Sequence, residues 1–301
     1  MPSLADKPNV VGAREGSPSD QSWPMPVAEF LAGAHLEAAD ILLIRQRRSL
    51  FTAAVQILTG GYFSKASMVF LTPHRDEEFT RHFVIEAGFK GVDLTELASY
   101  LGNRSRRYHI GVVRFESAWF TLDQRHHVRA HMLTQIKARY DFQRLFHNLL
   151  VSLDRSGFVL LRLFLGPRRA YLRMTNARRR RSLDRFIGPG FVQWSYRTTI
   201  QQQIEDGHLP PSVLDELVFC DNLLEPDRNG RLPEIDEDDL LSTTADDMAR
   251  SRRLVWKYAI VDGLAHRAQS FAEFQQIVSE ARQRRRATSQ PASPLRQAQE
   301  T

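Results

Sequence analysis

The chain has 301 residues, of which 42% are apolar and 25% charged, and this composition excludes a fibrous or wholly disordered protein. A single cysteine, Cys220, excludes an internal disulfide and a multi-cysteine zinc site. The formal charge of +6 suggests affinity for polyanions wherever the excess sits on a folded face rather than in tails.

Residues 1–22 are rich in Gly, Pro, Ser and Asp, lack apolar periodicity and read as a disordered leader, so the fold is expected over 23–281. No charged start followed by an apolar segment marks a signal peptide, and the apolar run 158–165 is broken by Arg162 and too short for a bilayer. A soluble cytoplasmic protein, with peripheral membrane contact as a variant, is the expectation. Apolar residues at helical spacing predict helices over 27–39 and 49–58, the second broken at Gly60-Gly61. Strands are expected over 40–45, 65–71, 82–86 and 108–115, with a short helix over 94–101 after Asp93. Thr121 is the expected N-cap of a helix to about 138, followed by another over 142–153. Helices are then expected over 191–204, from Pro210-Pro211 to 219, and over 271–281. A strand at 255–260 should lead into a turn at Asp262-Gly263. Residues 282–301 read as a disordered basic tail.

Charge is unevenly spread. Residues 162–185, within an insertion spanning about 157–185, hold nine arginines against one acid, and residues 224–247 hold nine acids against two arginines. The plain reading is an exposed basic loop balanced by the acidic segment. The alternatives are an amphipathic segment on an anionic lipid surface and phosphate contacts to nucleic acid. No recognition-helix, zinc-module or RNP-like pattern accompanies the arginines, so sequence-specific nucleic-acid readout is not expected.

His126, His127 and His131 share helical spacing, but Val128 stands where a zinc-binding H-E-x-x-H helix needs glutamate, so a solvated helix face is expected and no metal. Gly60-Gly61 lacks the Lys and Ser/Thr of a phosphate-binding loop, and no nucleophile elbow occurs. No cofactor is expected. Cys220, in an apolar stretch without flanking cations, reads as a small buried hydrophobe.

In chain order, Asp40-Ile-Leu-Leu-Ile-Arg45, Thr59-Gly-Gly-Tyr-Phe-Ser-Lys-Ala-Ser67 and Val84-Ile-Glu-Ala87 resemble segments of the circularly permuted papain-like amidase family. This is the YiiX/YaeF-like branch of the NlpC-type cysteine peptidases. Tyr140-Asp-Phe142 is similar to its Y-D-F helix start, and Phe186-Ile-Gly-Pro-Gly-Phe-Val-Gln-Trp194 to its F-I-C-S-G-F-V-Q nucleophile motif. Thr243 to Ser251, Trp256-Lys-Tyr258 and Asp262-Gly263 are similar to its T-P-A-D-L, W-x-Y and D-G ending. The resemblance spans residues 36–265 and implies an α+β fold, a central antiparallel sheet flanked by helices.

Active members of that family use a cysteine thiolate at a helix start, a histidine and a third polar residue. Carried over by motif, the histidine position falls on Lys65, the acidic position on Glu86 and the nucleophile position on Gly188, which has no side chain. Pro189 replaces the next serine and removes an N–H. The resemblance therefore implies a non-catalytic protein, a pseudoenzyme with a ligand-binding or scaffold role. Tyr62, Lys65, Glu86 and Gly188 are the expected contacts to a small acyl or anionic ligand. The alternative is an amide or ester hydrolase with a relocated nucleophile, Ser195 or Cys220.

Overall fold

Short apolar runs bounded by turn residues form the strands of one eight-stranded antiparallel sheet, in the order β1-β10-β9-β6-β2-β3-β4-β5. The strands are β1 (Met25–Pro26), β2 (Ile41–Gln46), β3 (Lys65–Leu71), β4 (Phe83–Gly88), β5 (Gly91–Glu96), β6 (Tyr108–Phe115), β9 (Leu254–Val261) and β10 (Leu264–Arg267). A separate parallel pair joins β7 (Arg139–Tyr140) to β8 (Arg185–Phe186). The helices are α1 (Val27–Ala32), α2 (Ala98–Leu101), α3 (Leu122–Thr134), α4 (Gly188–Glu205), α5 (Glu237–Leu241), α6 (Ala245–Arg250) and α7 (Phe271–Ser289). The structure is a computed structural model and describes residues 22–47, 52, 56, 61–73, 80–88, 90–102, 105–140, 185–186, 188–225 and 235–289. The fold is α+β, as expected.

Both faces of the sheet are covered. Because successive strand residues point to opposite faces, Ile41 and Leu43 of β2 join one core while Leu42 and Ile44 join the other. The first core receives Ala66, Met68 and Phe70 of β3 and Ile85 and Ala87 of β4, together with Phe191 and Val192 of α4 and Phe274 of α7. The second receives Val69 and Val84, capped by Phe30 of α1 and by Leu97 and Leu101 at α2. α4 packs on β3 and β4.

The strands expected over 65–71 and 108–115 match β3 and β6 residue for residue, and the turn at Asp262-Gly263 joins β9 to β10. Both turn residues have positive φ, 59° and 86°, the pairing that suits a two-residue hairpin loop. Elsewhere the elements differ from expectation. The helix expected over 27–39 ends at Ala32, since Gly33 takes an extended conformation (φ −85°, ψ 160°), and the chain then turns at Ala39, φ 68°, into β2. Residues 91–96, expected in part as helix, form β5 because Gly91, at φ 108°, reverses the chain beside β4; only Ala98–Leu101 is helical. The helix from Thr121 stops at Thr134, with its N-terminus held by the Gln124 carboxamide, which accepts from the Thr121 N–H at 2.9 Å. Its end is set by Lys137 at φ 73°. Residues 211–217 wind as a 3₁₀ turn instead of an α-helix. α4 starts at Gly188, three residues before expectation, and α7 continues through residues 282–289 of the expected tail. The expected helix 142–153 and the arginine block 178–181 lie outside the described residues, as does most of 49–58. Among the described residues no helix is long and apolar enough to cross a membrane.

Candidate functional site

Lys65 opens β3 and Glu86 lies on the neighbouring β4. The structure brings them together, with Lys65 Nζ 2.7 Å from Glu86 Oε1. Tyr100 of α2 closes the pair, its hydroxyl accepting from Lys65 Nζ at 2.9 Å and donating to the Glu86 carboxylate at 2.8 Å, while Thr95 Oγ1 adds a bond of 3.2 Å. Burial, reinforced by the Glu86 carboxylate, pushes the Tyr100 phenol well above its ordinary range. The lysine thus has both an acid and a phenol as partners, a geometry of charge satisfaction.

Gly188 lies on the other side of the sheet. A Cβ built on it would stand 2.9 Å from the Ala66 carbonyl oxygen and 3.4 Å from that of Ala87. Ala66 and Ala87 face the first core, whereas Lys65 pairs in register with Ile44 of the second core. Residues 65 and 66, and 86 and 87, are chain neighbours that point in opposite directions, so the sheet itself separates Gly188 from the Lys65–Glu86 pair. Gly190 meets backbone too: a Cβ there would collide with the Leu241 carbonyl oxygen. The start of α4 is a close approach of helix to sheet and to α5, with glycine where any side chain would intrude.

The two fallback nucleophiles are both buried. Ser195 is fully enclosed in α4 and its hydroxyl donates to the Phe191 carbonyl at 2.7 Å. Burial first, then the Asp247 carboxylate, pushes the Cys220 thiol up to about 12, so it is a thiol at neutral pH. The three histidines diverge: His127 Nδ1 bonds Gln203 Nε2 at 2.7 Å, and the His131 ring lies against Trp194 with centroids 5.0 Å apart. Among the described residues no group of three or more His, Cys, Asp or Glu side chains is placed to hold a metal ion.

Tyr62, expected beside Lys65, instead meets a residue that sequence reasoning passed over. Its hydroxyl lies 2.5 Å from Nδ1 of His109 and the two rings stack with an interplanar angle of 8°. Arg45, the register partner of His109 on β2, places its guanidinium 4.3 Å from the Tyr62 ring centroid. Burial, together with Arg47, Arg45, Arg282 and Arg285, lowers His109 to about 3, so the ring is neutral at physiological pH. The local signal that could have found it is a histidine directly before the apolar run Ile110-Gly-Val-Val113.

No family model matches the chain, and no curated protein does. Among solved structures, the chain is similar to the crystal structure of metalloprotein YiiX from Escherichia coli O157:H7, a DUF1105 protein. The TM-score is 0.41 and the identity 14%, over 74% of this chain and 96% of that one.

Proposed function

We propose that the chain is a non-catalytic, permuted papain-like protein that serves as a binding or scaffold protein. The observation that carries this reading is the space at position 188: the motif position of the nucleophile is a glycine whose missing Cβ would press on the Ala66 carbonyl oxygen. A catalytic thiol there would have to displace sheet backbone. The Lys65–Glu86–Tyr100 cluster supports the non-catalytic part of this reading, because each member is already committed to another and Lys65 lies on the face away from α4. The alternative hydrolase meets two obstacles: Ser195 is sealed inside α4, and Cys220 is held protonated.

The test is covalent labelling of the folded chain with a fluorophosphonate and with an acyl vinyl sulfone, followed by peptide mapping. No modification of Ser195 in either state, and none of Cys220 until the protein is denatured, is the expected result. Stoichiometric labelling of either residue in the folded state would replace this reading with the hydrolase.

A further inference from the structure

At one end of the sheet, four arginines converge on the Tyr62–His109 pair. Arg45 comes from β2, and Arg47 directly follows that strand. His109 stands between Arg45 and Val261 in register, so the next residue, Asp262 in the β9–β10 turn, reaches the same end. α7, which packs on β9, brings Arg285 onto Asp262 and carries Arg282 one turn earlier on the same helix. Asp262 accepts from Arg47 Nη1 at 3.2 Å and pairs with Arg285, and its Oδ1 lies 3.9 Å from His109 Nε2. The other nearby acid, Asp246, accepts from the Tyr62 N–H at 2.7 Å and pairs with Arg250.

Arg45 and Arg282 have no ion-pair partner among the described residues. Arg45 Nε is buried without an acceptor, although the four strand residues before it, Ile41 to Ile44, are all apolar and buried. A buried donor without a partner costs free energy and neighbouring like charges repel, so an anion bound at this end of the sheet would relieve both. We propose that this end of the sheet binds a phosphoryl group, anchored by the guanidiniums of Arg45 and Arg282 and bordered by the Tyr62 hydroxyl. Two forked guanidinium donors suit a phosphate dianion, which offers three strong acceptor oxygens and neutralises both charges. Of the residues expected to contact a ligand only Tyr62 belongs here, so the site stands without the papain-like reading.

The test is calorimetric titration of the full chain with inorganic phosphate, against sodium chloride at matched ionic strength. Saturable binding at one site is expected, weakened about tenfold in Arg45→Gln and in Arg282→Gln, where a charge-assisted bond is lost. Lys257→Gln, which removes a cation paired with Glu116 elsewhere on the sheet, should bind as the parent does. Arg282 is an exposed helix residue, so its variant tests the site even where Arg45→Gln unfolds the chain. Equal heats from chloride and phosphate, or unchanged affinity in Arg282→Gln, would overturn the proposal. Sedimentation with phosphatidic acid vesicles but not phosphatidylcholine vesicles, reversed by free phosphate, assigns the phosphoryl group to a lipid headgroup. Phosphate binding without vesicle binding assigns it to a soluble ligand, and either result supports the site.

Discussion

Position 188 joins the sequence motif to the fold at the level of single atoms. Gly188→Cys, which would restore the nucleophile of the family motif, is expected to destabilise the chain by about 1–3 kcal/mol, because the new Cβ presses on the Ala66 carbonyl and backbone must shift. Urea unfolding would read the loss. Gly190→Ala should cost more, since Leu241 backbone blocks that site more tightly. Tyr100→Phe removes a hydroxyl that serves both Lys65 and Glu86, and a cost of about 1–2 kcal/mol is expected in the same assay. Motif matching singled out Lys65 and Glu86, which the structure then pairs. Their separation from Gly188 was not legible, because chain neighbours 65 and 66 face opposite cores and only the register of β2, β3 and β4 says which faces which. His109 was hidden for a related reason: Tyr62, Arg45 and Asp262 are distant in sequence, and the one local cue, a histidine directly before an apolar run, points to none of them.

Among the elements, strands were more readable than helix ends. Apolar-rich runs such as 65–71 and 108–115 announce strands buried on both faces, whereas α1 ends where Gly33 turns extended and α3 just before the positive φ of Lys137, which composition does not reveal. The loop between α1 and β2 is fixed by Asp40, which is fully buried and receives Arg114 at 2.6 and 2.9 Å through two nitrogens. Glu37 joins the network at 2.7 Å from Arg114 Nη1. Asp40→Asn would leave Arg114 short of charge in the interior, and a loss of about 3–5 kcal/mol on chemical unfolding is expected. β6 contributes a pH dependence through His109. Its folded value near 3 lies below the ordinary 6.5, so between these values the unfolded chain binds a proton that the folded chain refuses. Stability should therefore rise with pH across that window, by up to about 1.4 kcal/mol per pH unit from this group. His131 and His266 are shifted in the same direction by burial, so the contribution of His109 is read as the difference from His109→Gln. A shallower slope of unfolding free energy between pH 5 and 6.5 in that variant is the expected outcome.

On the scale of the whole molecule, the sheet is a partition with an apolar core on either side, and this decides what each residue can reach. The α+β class and the central antiparallel sheet were legible because five of the strands declare themselves by composition. β1, β5 and β10 did not, being short or mixed in polarity and held in place by their neighbours in the sheet. The strand order also fixes a sequence of events during synthesis. β2 to β6 are made early and pair among themselves, yet β6 waits for β9, which emerges only after residues 116–253 have been made. Until then the growing chain presents β6 as a long bare edge with its ladder groups open, a template for wrong pairing between nascent molecules. A chain stopped before residue 254 should accordingly collect in inclusion bodies, and co-expressed holdase chaperones should be found on the unfinished half of the sheet.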